Sequence, residues 1–164
     1  MDLPRRKAVR LKGYDYSTPG IYFVTVCTKN KQKLLGKIVG TGLLDGPVNQ
    51  LSSYGQVAQK QIQLMTDFYD NIRIEKYVIM PNHIHFLIRI YGHYEPEQTE
   101  TPANSALSHF IGTFKRFCNR IYGENIWQNR SYDHIVRREQ DYREIWRYIE
   151  ENPLRWTMDR FYSE

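Results

Sequence analysis

The turn-like run Met80-Pro81-Asn82 and the segments on either side of it constrain this chain's fold more than any other feature. Ile72–Ile79 before it and His83–Ile90 after it are rich in β-branched and apolar residues, so the pair predicts a tight antiparallel hairpin. Side chains two apart on a strand share a face. His83 and His85 therefore lie side by side, about 6.5–7 Å apart at the backbone, close enough for both imidazoles to converge on one ion. Ile84 and Phe86 point the other way, into a core. The same pattern is met by two histidines that face solvent or are satisfied by backbone groups. Histidine-triad nucleotide hydrolases carry a third alternating histidine; Leu87 stands at that place, which argues against that class.

The rest of the chain supplies a framework for the hairpin. Residues 21–28, Ile-Tyr-Phe-Val-Thr-Val-Cys-Thr, read as a buried strand, and 33–39 as a weaker one in a glycine-rich region. Tyr54, Val57, Ala58, Gln61, Met65 and Phe68 recur at helical spacing within 51–68. Residues 91–103 read as an exposed loop, after which Asn104 or Ser105 caps a helix with the apolar stripe Leu107, Phe110, Ile111, Phe114, Phe117, Cys118 and Ile121. Lys115, Arg116 and Arg120 fall off that stripe, toward solvent or a ligand. A short strand at 133–137 and a helix over Glu139–Glu151 follow, the helix stopping at Asn152 because a residue before proline avoids helical geometry. This order predicts an α+β fold: a ferredoxin-like antiparallel sheet with its helices on one face, the other face left for a site, and a C-terminal helix. We read 1–13 as a basic arm (Arg5, Arg6, Lys7, Arg10, Lys12) and 14–164 as a single domain.

Composition narrows the classes. No run of 18 apolar residues occurs in the 164-residue chain and no apolar stretch follows the charged N-terminus, so neither a membrane span nor a signal peptide is read. Cys27 and Cys118 are far apart and form no Cys-x-x-Cys pair, which predicts free thiols and a cytoplasmic setting. A net charge of +5 suits a polyanion, and 13 tyrosines beside Lys and Arg suit stacked bases, although most aromatics are expected in the core.

The second constellation is Trp146-Arg147-Tyr148-Ile149-Glu150-Glu151-Asn152-Pro153. Residues four apart share a helix face, so Tyr148 and Asn152 stand one above the other. A phenol nucleophile and an amide-oxygen ligand from one element is one reading; a core tyrosine and a helix terminator is the other.

Taken together, Tyr22-Phe23-Val24-Thr25, Val78-Ile79-Met80-Pro81-Asn82-His83-Ile84-His85, Ile126-Trp127-Gln128, Tyr132-Asp133-His134-Ile135-Val136-Arg137, Asp141-Tyr142 and Tyr148-Ile149-Glu150-Glu151-Asn152-Pro153 resemble the HUH-type single-tyrosine transposases, and within them the REP-associated tyrosine transposases. The resemblance implies that His83 and His85 bind a divalent metal, Mg²⁺ or Mn²⁺, that Asn152 completes the metal site, and that Tyr148 is the nucleophile. Trp127 and His134 match the pattern without a fixed role. It further implies a metal-dependent endonuclease that cuts hairpin-containing single-stranded DNA through a 5′-phosphotyrosine intermediate and rejoins strands. Phosphate contacts are expected from the basic arm, Lys115, Arg116, Arg120, His134 and Arg137. A homodimer and a monomer both fit, and a DNA-binding domain of the same fold without cleavage is the alternative. A replication initiator or conjugative relaxase shares the chemistry but usually occupies a longer chain.

Overall fold

The structure, a computed structural model, describes residues 18–40, 46–92 and 105–162. The expected basic arm (Arg5, Arg6, Lys7, Arg10, Lys12) and nearly all of the 91–103 loop lie outside the described residues. Among those described, the order is β1 (Gly20–Cys27), β2 (Gly36–Val39), β3 (Val48–Leu51), α1 (Ser53–Phe68), β4 (Ile72–Ile79), β5 (His83–Ile90), α2 (Ala106–Tyr122), β6 (Tyr132–Val136) and α3 (Glu139–Glu151). The main sheet runs β4-β5-β1-β6 with antiparallel neighbours, while β2 and β3 form a separate hairpin. Leaving that hairpin aside, the chain is the expected βαββαβ plan, with the two long central strands side by side. The β3 strand was not expected: its four residues are too short and too polar to show an apolar alternation.

Alternation along β1 and β5 sorts the sheet's two faces. Tyr22, Val24 and Val26 join Ile84, Phe86 and Ile88 in the main core against α1 and α2. Each such side chain contributes roughly 1.5–3 kcal/mol on burial. Phe23 and Leu87 face the opposite side, where they meet Val136 together with Ile145 and Ile149 of α3. The expectation that this second face stays free is corrected: α3 covers part of it, because Ile145 and Ile149 need an apolar partner of their own.

Local chemistry fixes the helix ends. The Ser52 and Ser105 hydroxyls accept from the backbone N–H groups of Gly55 and Ser108, each capping a helix. At the other end of α2, Gly123 takes φ 76°, a left-handed stop suited to glycine. Gly55 has a different task. A Cβ there would collide with the Leu35 carbonyl, so glycine lets α1 lie against the 34–35 segment. Leu35 in turn donates its N–H to the Pro81 carbonyl at 2.9 Å, tying that segment to the hairpin turn before His83. Phe117 and Ile121, expected in the core stripe, stand 42 % and 57 % exposed, on the side of α2 turned from the core, while Cys118 is fully buried and Tyr122 packs against the core. No helix among the described residues is long and apolar enough to cross a membrane.

Candidate active site

The β4–β5 turn delivers His83 and His85 onto the α3 side of the sheet, both with no solvent exposure. Their Nε2 atoms approach to 3.1 Å, and their Nδ1 atoms are anchored behind. His83 Nδ1 meets Asn82 Oδ1 at 2.8 Å, and His85 Nδ1 meets Thr25 Oγ1 at 2.7 Å. Asn82 donates through its Nδ2 to the Phe161 and Lys31 carbonyls, so its Oδ1 is the acceptor that faces His83. The network thus puts the His83 proton on Nδ1 and leaves Nε2 with its lone pair. The Thr25 hydroxyl, which donates or accepts, satisfies either tautomer of His85. Burial pushes His83 down to about 3, the Asn152 amide opposing the shift and the Arg160 charge adding to it. Burial, with His83 and Arg160, also drives His85 well below the ordinary imidazole value. Both rings are neutral at physiological pH, the form that binds metal.

Tyr148 and Asn152 reach the same place from α3. The Tyr148 ring centroid lies 5.3 Å from that of His85 and 6.1 Å, edge-on, from that of Phe23, within one chain. Asn152 follows at the helix end, 1 % exposed, its Nδ2 donating to the Tyr148 carbonyl. Its Oδ1 is buried without a hydrogen-bond partner among the described residues. Burial raises the Tyr148 phenol above its ordinary value, with the Asp159 charge adding to the shift and the Asn152 amide and Arg160 opposing it. A cavity of about 220 Å³ lined by Glu144, Arg147, Tyr148, Glu151 and Arg155 opens beside the tyrosine.

The segment after α3 supplies what the sequence reading missed. Asp159 brings a carboxylate within 3.8 Å of His83 Nε2, its side chain 2 % exposed. The ligating atoms of His83, His85 and Asp159 all lie within 4.8 Å of one another. The Phe161 ring lies tilted against His83 at 4.6 Å between centroids, with Trp156 at 6.0 Å. Nothing periodic marks this segment in the sequence. The one usable sign for Thr25 was its polarity inside an otherwise apolar strand.

These residues fit a divalent ion. The two Nε2 atoms converge at a separation suited to about 2.1 Å bonds once both are unprotonated, each ring has a partner on its far nitrogen, and an orphaned amide oxygen and a carboxylate stand by. The sequence profile described as "Transposase IS200 like" matches residues 20–152, from β1 through Asn152. The chain belongs to the IS200-like transposase family. An uncharacterized protein of Haemophilus influenzae is 32 % identical over 175 aligned residues, spanning 97 % of this chain and 94 % of that protein. A solved structure of a REP-associated tyrosine transposase bound to a REP hairpin superposes with a TM-score of 0.61 at 22 % identity, covering 94 % of this chain and 74 % of that one. That likeness supports the same fold.

The expected phosphate-binding residues scatter around this IS200-like core. Arg116, Arg120 and Arg137 are exposed, and His134 is half-buried on β6, opposite Phe23. Lys115 corrects the expectation of an outward charge. Its Nζ donates to the Gln128 carbonyl at 2.8 Å, and burial lowers it to about 8, against the opposing pull of Cys27 and Asp133. It bolts the loop after α2 to the helix, because the chain returning to β6 passes directly over it.

Proposed function

We propose that this transposase is a divalent-metal-dependent endonuclease and strand-joining enzyme for hairpin-containing single-stranded DNA, with Tyr148 as nucleophile and His83, His85 and Asn152 as metal ligands. Asp159 is a further oxygen donor to the same ion. The observation that carries this reading is the placement of the Tyr148 ring, centroid to centroid, 5.3 Å from His85, whose Nε2 meets that of His83 at 3.1 Å. Two imidazoles with oxygen donors suit Mn²⁺ better than Mg²⁺, whose preference is for oxygen alone. When bound, the ion would polarise the scissile phosphoryl group and offset its developing charge.

The Tyr148 phenolic oxygen attacks phosphorus, forming the Oη–P bond as the bond to the 3′ oxygen breaks. The 3′ side leaves as a hydroxyl, and the 5′ side stays on the protein as a phosphotyrosine. Burial and the nearby Asp159 charge keep the phenol protonated at neutral pH, so its proton leaves during attack rather than before it. A second 3′-hydroxyl reverses the step, restores the phenol and joins strands without ATP. Lys and Arg on the surface, Arg116, Arg120 and Arg137 among them, with His134 and the arm (Arg5–Lys12), supply phosphate contacts. The hairpin substrate rests on family membership and on the REP hairpin in the similar solved structure. Because Tyr148 reaches the histidines of its own chain, the reading needs no second copy.

Tyr148→Phe is expected to abolish cleavage of a hairpin-flanked single strand while leaving binding within about twofold, in a nicking assay with Mn²⁺ and an EDTA control. Unchanged cleavage would remove Tyr148 as nucleophile. The second reading, a DNA-binding protein without cleavage, is favoured by one observation: neither His83 nor His85 touches solvent. DNA binding by the wild-type protein with no Mn²⁺-dependent product would select it.

A further inference from the structure

One open groove lies apart from the histidines and is used by nothing described so far. Lys29, Asn30, Lys31, Trp127, Gln128 and Asn129 line a space of about 700 Å³, within the roughly 300–1,000 Å³ typical of ligand sites. Its polar lining is two ammonium groups and three amides, with no carboxylate. The two walls are built to stay in register. Lys29 N–H donates to the Ile126 carbonyl at 2.8 Å, Gln128 N–H donates to the Cys27 carbonyl at 2.8 Å, and Thr28 pairs with Trp127 as an isolated β-bridge. From below, Lys115 holds the Gln128 carbonyl. Asn30 and Lys31 take φ 53° and 54°, two successive left-handed residues that are not glycine. Such backbone costs about 1–2 kcal/mol per residue, so the turn holds its shape against a cheaper alternative. Trp127 is 1 % exposed, and its indole N–H has no hydrogen-bond partner among the described residues.

The groove is also wired to the site. Cys27 pairs with His83 across the sheet, and the Lys31 carbonyl accepts from the same Asn82 amide whose oxygen orients His83. Around Cys27 three positive charges, those of Arg160, Lys31 and Lys115, act against the burial of the thiol, with Asp159 the one negative charge beside them. An ammonium pair beside amides, with no negative group among them, matches a strand of nucleic acid: lysines on phosphates, amides on base edges.

We propose that this groove seats the single-stranded DNA that flanks the scissile phosphate, with Lys29 and Lys31 on successive phosphates and Asn30, Gln128 and Asn129 toward the bases. The inference rests on the DNA-cleaving reading above. The test is fluorescence anisotropy of a labelled single-stranded oligothymidylate titrated with the full chain over a series of salt concentrations. The Lys29→Glu variant should bind about tenfold more weakly, and its log K against log salt slope should be shallower by roughly one. Lys29→Arg should keep wild-type binding, and Lys60→Glu, on the solvated side of α1, should change far less than Lys29→Glu. Thermal unfolding of each variant checks that the fold is intact; if Lys29→Glu is unfolded, Lys29→Ala and Asn129→Ala carry the same comparison. Groove variants that bind no worse than Lys60→Glu, in a protein that binds and nicks DNA, overturn this inference alone. A wild-type chain that binds no DNA overturns it together with the function it rests on.

Discussion

At the residue scale, the two histidines depend on what stands behind them. A metal-ligating imidazole needs its far nitrogen occupied, and Thr25 does this for His85. Thr25→Val keeps the shape and removes the hydroxyl, so Mn²⁺ affinity measured by calorimetry should fall by about 10–100-fold, with Thr25→Ser restoring it. An unchanged affinity would show that packing alone orients the ring. The burial that keeps both rings neutral also makes stability pH-dependent. His83 is held near 3 and His85 well below 6.5, whereas the unfolded chain protonates each near 6.5. Between these values the unfolded state binds more protons, so stability is fully present above pH 6.5 and is lost as pH falls toward 3. The slope is up to about 1.4 kcal/mol per pH unit for each histidine. Urea unfolding in EDTA at pH 7 and pH 5 reads this directly, and a flat profile would mean the rings are not held neutral. His83 and His85 were legible at this scale because strand alternation is local. Asp159 was not, since an isolated acidic residue in an aperiodic segment has no partner until the chain folds back.

At the element scale, α3 places Tyr148 and is itself held by few contacts. Ile145 and Ile149 bury against Phe23, Leu87 and Val136. Polar ties flank them: Tyr142 Oη donates to Glu75 at 2.8 Å, and Lys76 pairs with Glu150 at 2.9 Å while lying 4.2 Å from the centre of the Trp146 ring. A register shift between Ile74 and Lys76 in β4 lies at Glu75, which also pairs with Arg89. Ile149→Ala should therefore cost about 2–5 kcal/mol in urea unfolding and lower cleavage through misplacement of Tyr148. A loss below about 1 kcal/mol would mean that α3 docks by its polar ties instead. The helix and its apolar positions followed from periodicity. Which sheet face it covers did not, because a 3.6-residue repeat says only that a stripe is buried, not against what.

At the scale of the whole molecule, the last described residues close the site. Phe161 lies over His83, its carbonyl holds Asn82, and its N–H donates to Asp159 at 2.8 Å. On the proposed function, a scissile phosphate would reach the histidines only if this segment moved. Diethylpyrocarbonate should accordingly modify His83 and His85 far more slowly than exposed His109, and Phe161→Ala should speed modification of the pair at least several-fold, read by mass spectrometry. Equal rates in wild type and variant would show that the segment opens freely. By itself the sequence determined the βαββαβ order, the histidine pair on one strand face and the tyrosine and asparagine one turn apart, because strand and helix periods are properties of neighbouring residues. Only the tertiary structure decided that these two elements meet, that Lys115 turns inward, that Asp159 comes up beside the histidine pair and that Phe161 covers it. Those outcomes depend on which surfaces remain to be buried once the sheet has formed, and no local pattern carries that information.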